Sequence, residues 1–198
     1  MDSTAKLSQM TDEELTVWVR TKNQEDYREL VNRYQDKAMR YAQTIMHDHD
    51  RAADVVQEAF IKAYINLRSF NQKKKFSSWF FRIIHNQAIN YLKKHRKEIS
   101  FGNDDWSVNI ASFEEPLEVT LQKQENKQAI TACLVRLPLM YRSPLALYFF
   151  EDKSYEEIGD ILKLPIGTVS TRINRAKKIV RNYFNEYQQH QARVTKDA

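Results

Sequence analysis

Between Asn71 and Lys94 the chain reads NQKKKFSSWFFRIIHNQAINYLKK, three lysines followed at once by a run of aromatics. Trp79, Arg82, Asn86 and Asn90 are spaced by three or four residues, which places them on one stripe of a helix. Ammonium groups at Lys73, Lys74 and Lys75 neutralise phosphates, asparagine amides bond base edges, and an indole face stacks an unpaired base for about 1–3 kcal/mol. This is the chemistry of a single-strand binding surface, with Phe76 and Trp79 as its aromatic members. A solvated basic face carrying a half-buried tryptophan is the other reading of the same residues.

A second set lies in SYEEIGDILKLPIGTVSTRINRAKKIV, residues 154 to 180. Ser154 followed by Glu157 is a capping box, the helix it starts breaks at Lys163-Leu164-Pro165, and a new one begins near Gly167. Two helices across a short turn form a helix-turn-helix. On the second, Val169, Ile173, Ala176 and Val180 make a narrow apolar stripe. Thr168, Ser170, Thr171, Arg172, Asn174, Arg175, Lys177, Lys178 and Arg181 are left outward, the hydroxyls, amide and arginines for base edges and the later lysines for phosphates. The bland alternative is an αα-hairpin with a solvated basic face.

The third set is chemically odder. On a helix over residues 51 to 68, Val56, Ala59, Phe60, Ala63 and Leu67 form a core stripe. The opposite side mixes Asp54, Gln57 and Glu58 with Ile61 and Ile65, where only polar groups belong. Either a neighbouring helix covers those isoleucines or a protein partner does. The pair His47 and His49 flanking Asp48 is the best candidate for catalysis or metal binding. Its spacing sends the two rings to different helix faces, and no phosphate-binding loop or carboxylate cluster accompanies it. No catalytic residue, metal ligand or cofactor is expected.

Helices must position these groups, and the chain is built for them. Its first 115 residues contain no proline and one glycine, Gly102. Apolar spacing predicts helices over residues 12 to 20, 24 to 46, 51 to 68 and 77 to 96, then 117 to 136, 139 to 150, 154 to 162 and 167 to 188, with Asp50 and Ser77 as N-caps of the third and fourth. No strand alternation or short repeat is present, so the fold class is all-α. With 198 residues, 42% hydrophobic and 29% charged, the chain suits two small folded domains and not a disordered one. No long apolar run or signal peptide supports membrane insertion or export, which makes the cytoplasm the expected compartment. Cys133 stands alone, which excludes an intrachain disulfide and suits a small buried side chain.

Charge divides the chain. Residues 59 to 97 hold ten Lys or Arg and no acid, residues 98 to 125 hold seven acids against Lys123 alone, and residues 161 to 185 hold six basic residues and no acid. Two anion-binding modules joined by an acidic linker through FGNDDWSVNIASFEEP follow from that pattern. The boundaries expected are a first domain over residues 1 to 97, a linker over 98 to 120, a second domain over 121 to 190 and a tail over 191 to 198.

The run LPLMYRSPLALYFFEDKSYEEIGDILKLPIGTVSTRINRAKKIVR resembles region 4 of bacterial sigma factors of the extracytoplasmic function group. DRAADVVQEAFIKAYINLRSF with the KFSSWFFRIIHNQAINYLKK that follows resembles their region 2. The resemblance implies a non-enzymatic promoter-specificity subunit of two helical domains. Its partners would be core RNA polymerase, bound through the clamp helices of the large subunit and the flap, then promoter DNA, and an anti-sigma protein. By the same resemblance Asp54, Gln57, Glu58, Ile61 and Ile65 dock on the polymerase, and the loop from Ser69 to Ser78 with the helix after it captures a flipped minus-ten base. The helix-turn-helix would read the minus-thirty-five element, with Arg172 and Lys178 near phosphates. Lys163 stands where the family commonly has a turn glycine, and Pro144 suggests a helix that starts or kinks there. A stand-alone helix-turn-helix regulator is the competing function.

Overall fold

The computed structural model describes residues 3–95, 133–134 and 136–194, and every described element is helical. In chain order these are α1 (Ser3–Gln9), α2 (Asp12–Thr21), a 3-10 turn over Gln24–Asp26, α3 (Tyr27–Met46), α4 (His49–Asn66), and a second 3-10 turn over Leu67–Ser69. Then come α5 (Phe76–Lys94), α6 (Leu139–Phe150), α7 (Tyr155–Leu162) and α8 (Ile166–Val194). The acidic linker and most of the helix expected over residues 117 to 136 lie outside the described residues. Only α1 has no counterpart in the periodicity.

The helix starts show how local chemistry sets the boundaries. Thr11 and Ser154 each form a full capping box: the Glu14 and Glu157 N–H groups donate to the hydroxyls at 3.2 Å, and each glutamate accepts from the cap N–H at 2.9 Å. Helix α4 is capped by Asp48, not Asp50, because Asp48 is the extended residue whose carboxylate accepts from Arg51 N–H at 2.9 Å. Ser77 is likewise not the cap of α5. That helix begins at Phe76, and the preceding residue, Lys75, has no side-chain acceptor to offer. Glu13 of α2 fills the role from 63 residues away, its carboxylate accepting from Phe76 N–H at 2.7 Å.

Helix α6 starts at Leu139 and runs through the buried Pro144 instead of beginning there. Between α7 and α8, Lys163 adopts the left-handed conformation, φ 57° and ψ 47°, and its N–H closes α7 on the Gly159 carbonyl. A Cβ at Gly159 would stand 2.8 Å from the Leu164 carbonyl, so the turn has no room for a larger residue there. A side chain in the left-handed well costs about 1–2 kcal/mol, more than glycine loses in unfolded-state entropy. Lys163→Gly will therefore raise the thermal midpoint by about 1–4 °C, read by calorimetry on the full chain.

The first five helices pack around aromatic rings. Phe80 sits 4.6 Å from Phe60, 5.6 Å from Tyr34 and 5.8 Å from Phe76, centroid to centroid, and all but Phe60 are buried. Val56, Ala59, Ala63 and Leu67 line the buried side of α4 as their spacing predicts. Around α8, which packs on α6 and α7, Val169, Ile173, Ala176 and Ile179 are buried, and Cys133 is buried as well. The two halves meet: α3 packs on α6 and α5 on α7. At that seam Arg40 donates to the Glu151 carboxylate at 2.9 Å and to the Phe150 carbonyl at 3.3 Å, with Glu151 almost wholly enclosed. Burial raises the Glu151 carboxyl pKa in spite of Arg40.

Candidate nucleic-acid interface

On α5 the stripe predicted from spacing divides. Asn86 and Asn90 are exposed, as are Lys73, Lys74 and Lys75 in the loop before the helix. An Asx turn shapes that loop, with Lys73 N–H donating to the Asn71 side-chain oxygen at 3.0 Å. Trp79 is half-buried, its ring 5.2 Å from Phe70 and 5.7 Å from Phe76. Phe76, counted among the DNA-binding residues on sequence grounds, has no accessible surface. It stands edge-on to Tyr34 at 5.3 Å and stacks on Phe80, so it belongs to the core and fixes the end of the loop from within. The loop thus keeps its three lysines and α5 its two amides at the surface, while Arg82 is half-buried and one indole edge is held by the rings beneath it.

On α8 the residues expected to meet duplex DNA fall into two groups. Thr171, Asn174 and Arg175 are exposed, while Thr168, Ser170, Arg172 and Lys178 are half-buried. Thr171 donates its hydroxyl to the Gly167 carbonyl at 2.8 Å, leaving the oxygen lone pairs outward. Arg172 lines a groove of about 440 Å³ at the seam, together with His85, Ile89, Leu139, Pro144 and Leu162. Lys177, on the same helix, lies 4.5 Å over the Tyr148 ring.

The odd face of α4 is open. Asp54, Gln57 and Glu58 are exposed, Ile61 keeps 47% and Ile65 69% of its surface, and no described helix covers them. Tyr64, 42% exposed beside them, extends the apolar part. His47, Asp48 and His49 have helix-end roles: His47 is the left-handed C-cap of α3, Asp48 caps α4, and His49 Nδ1 lies 2.6 Å from the Gln43 amide nitrogen. Among the described residues no three His, Cys, Asp or Glu side chains converge on a metal position.

Sequence reasoning missed the residues that set the α5 surface from outside it. Glu13 is one, hidden among the acids of the Thr11 capping box. Glu157, Asp160 and Lys153 are others. Lys75 Nζ is 3.0 Å from Glu157, Lys74 Nζ 4.0 Å and Arg82 3.9 Å from Asp160, and Lys153 donates to the Ser77 hydroxyl at 2.8 Å.

His85, on the seam side of α5, hydrogen-bonds the Tyr41 hydroxyl across 3.0 Å, and burial pushes its pKa down to about 4. The folded state holds this ring neutral, so its contribution is complete above the unfolded value of 6.5 and is lost as pH falls from 6.5 toward about 4. Between about pH 7.5 and 4.5 the loss is roughly 2–3 kcal/mol. Denaturant melts at both pH values check it: His85→Gln should show a smaller acid-induced drop than the parent chain.

Comparison with known proteins identifies the family. A family model for Sigma-70 region 2 matches residues 30–98, and one for Sigma-70, region 4 matches residues 127–180. The ECF RNA polymerase sigma factor SigW of Bacillus subtilis (strain 168) is 31% identical over 176 residues, covering 85% of this chain and 94% of that protein. The ECF RNA polymerase sigma-E factor of Escherichia coli (strain K12) is 34% identical over 182 residues, covering 88% and 94%. Among solved structures, CnrH in complex with the cytosolic domain of CnrY aligns at a TM-score of 0.66 and 20% identity over 88% of this chain and 97% of that one. The sigma factor RpoE of Bartonella quintana, solved with the anti-sigma factor NepR, aligns at 0.64 and 23% over 81% and 98%. These last two share the fold. On its paired region 2 and region 4 matches and its kinship to SigW and sigma-E, the chain belongs to the extracytoplasmic function group of sigma-70 factors, the non-enzymatic subunits that give RNA polymerase its promoter specificity.

Proposed function

We propose that the three surfaces divide the work of initiation as their chemistry suggests. The α4 stripe of Asp54, Gln57, Glu58, Ile61 and Ile65 docks on the clamp helices of core RNA polymerase. The loop and outer face of α5, with Lys73, Lys74, Lys75, Trp79, Arg82, Asn86 and Asn90, take the unpaired strand at the minus-ten element. Thr168, Ser170, Thr171, Asn174 and Arg175 of α8 read the minus-thirty-five duplex, with Arg172 and Lys178 near phosphates. Melting needs no catalytic group, because binding an extruded base offsets the few kcal/mol that unpairing costs. The observation that carries this reading is the uncovered α4 stripe, a mixed acidic and β-branched face that no described element of the fold buries.

The expected domains are residues 1 to 97 and 121 to 190, with the segment between them as a tether. No described helix is long and apolar enough to cross a membrane, and the proposed place of action is beside cytoplasmic polymerase. The Bartonella RpoE was solved with the anti-sigma factor NepR. We extend that class of partner, and contact with the polymerase flap, to this chain.

Co-purification with core polymerase, followed by promoter-directed transcription, tests the whole reading against a regulator that acts alone. A chain that binds promoter duplex without polymerase and forms no complex with it would overturn the proposal. Within the complex, Arg175→Ala should weaken binding by about 1–3 kcal/mol at one base pair of the minus-thirty-five element. A binding screen over single-base promoter variants shows this, whereas a uniform loss would make Arg175 a phosphate contact.

A further inference from the structure

The loop proposed to take the unpaired base is pinned at both ends from beneath. Phe70 before it and Phe76 after it are buried, and their rings meet edge to face with centroids 5.8 Å apart. Between them Asn71 to Lys75 are exposed, and the loop orders its own first half. The Asn71 side chain accepts from the Lys73 N–H, and the Asn71 carbonyl accepts from the Lys74 N–H at 2.9 Å. The far end is set by another helix. Lys75 is extended, φ −65° and ψ 128°, and the Phe76 N–H that follows it donates to Glu13 of α2.

Helix α2 reaches both ends, packing on α5 and on the 3-10 turn Leu67–Ser69 that leads into the loop. Its first two residues act together on Phe76. Asp12 accepts from the Tyr34 hydroxyl, and Tyr34 stands edge-on to the Phe76 ring at 5.3 Å, so one acid places a ring against Phe76 while the next takes its N–H. The acids are themselves held. Arg33 of α3 donates to Asp12 at 2.9 Å and to the Leu7 and Met10 carbonyls at 2.7 and 2.8 Å, and the buried Thr16 donates its hydroxyl to the Glu13 carbonyl at 2.7 Å.

Two kinds of DNA contact depend differently on that end of the loop. Attraction between lysines and phosphates reaches about 10 Å at ordinary salt and tolerates a small shift of the backbone. Capture of one base in preference to another needs its surroundings held to within about 0.5 Å. We propose that Glu13 is a positioning residue for minus-ten recognition: its carboxylate fixes the start of α5, and with it the shape of the loop from Asn71 to Lys75, so that α2 sets how sharply the loop tells one flipped base from another. This rests on the reading that the loop takes the unpaired strand, and it adds what decides the loop's shape. No residue of α2 belongs to the three surfaces assigned above. Glu13 acts through the Phe76 backbone and not by touching DNA.

The test uses holoenzyme and a set of forked promoter duplexes that differ by one base at each position of the single-stranded minus-ten tract. Competition binding with the parent chain gives the preference at each position. Glu13→Ala should reduce the strongest preference about tenfold while the salt dependence of binding is unchanged. Glu13→Gln keeps an acceptor oxygen for the Phe76 N–H and should restore the preference. Val19→Ala, which trims a buried residue of the same helix, should lower the thermal midpoint and leave the preference alone. An undiminished preference in Glu13→Ala, an equal loss in Val19→Ala, or a glutamine chain as indiscriminate as the alanine one would overturn the positioning role. Lys73→Ala, Lys74→Ala and Lys75→Ala together separate this claim from the one beneath it. If that triple change weakens binding while Glu13→Ala keeps the preference, the loop stands as a DNA surface and the role of Glu13 falls. If the triple change leaves binding intact, the loop was misassigned and the role of Glu13 falls with it.

Discussion

Asp54→Lys with Glu58→Lys will eliminate the complex with core polymerase while leaving the chain folded. Both carboxylates are exposed on the outer side of α4, and Asp54 makes no ion pair among the described residues. Glu58 makes one weak pair, 3.8 Å from Lys62 on its own helix. Neither touches the buried stripe of Val56, Ala59 and Ala63, and the Asp48 cap of α4 is untouched, so the stability change should stay within about 0.5 kcal/mol. At an interface the same change is severe. Two attractive charges become repulsive beside Ile61 and Ile65, whose apolar surface must still be desolvated, and like-charge juxtaposition costs several kcal/mol. Tagged chain should no longer retain polymerase, with an unchanged far-ultraviolet spectrum as the control. Full assembly by the doubly reversed chain would remove α4 from the docking surface.

Which parts of this were legible depends on how local their causes are. Helix positions were, since a chain with no proline and one glycine in its first 115 residues has little to interrupt a 3.6-residue period. The Ser154 capping box was legible too, because both partners lie within four residues. The start of α5 was not. Its acceptor, Glu13, sits in a different helix, and nothing near Lys75 reports it. Phe76 was assigned to the surface because its lysine neighbours suggest solvent, and only the packing of α3 against α5 brings Tyr34 over it, beside Phe80 one turn further along α5. The Lys163 turn shows tertiary geometry overriding a local preference: the register of α7 against α8 fixes a left-handed residue, and a lysine bears it. The ion pairs between α5 and α7 are the least local feature. Both charge sets stand in the sequence, but what joins them is the packing of α3 on α6 and α5 on α7.

Phe76 and Trp79, three residues apart at the start of α5, should fail in opposite ways. Phe76→Ala removes a ring with no accessible surface from a cluster of Tyr34, Phe70, Trp79 and Phe80. Lost transfer energy and the cavity left behind cost about 3–5 kcal/mol. The thermal midpoint should fall by roughly 6–20 °C for a chain of this size, and Phe76→Leu should recover much of that. Trp79→Ala removes a half-buried ring and should cost only about 1–2 kcal/mol of stability. Its larger effect belongs to the promoter. Where the indole stacks an extruded base, its loss weakens the open complex by about 1–3 kcal/mol. Assembly with polymerase and minus-thirty-five binding, which use α4 and α8, should be retained. Calorimetry on the free chains and permanganate reactivity in the holoenzyme separate the two substitutions. A Phe76→Ala chain with parental stability would place that ring at the surface after all, and a Trp79→Ala holoenzyme that melts promoters normally would reduce the indole to packing.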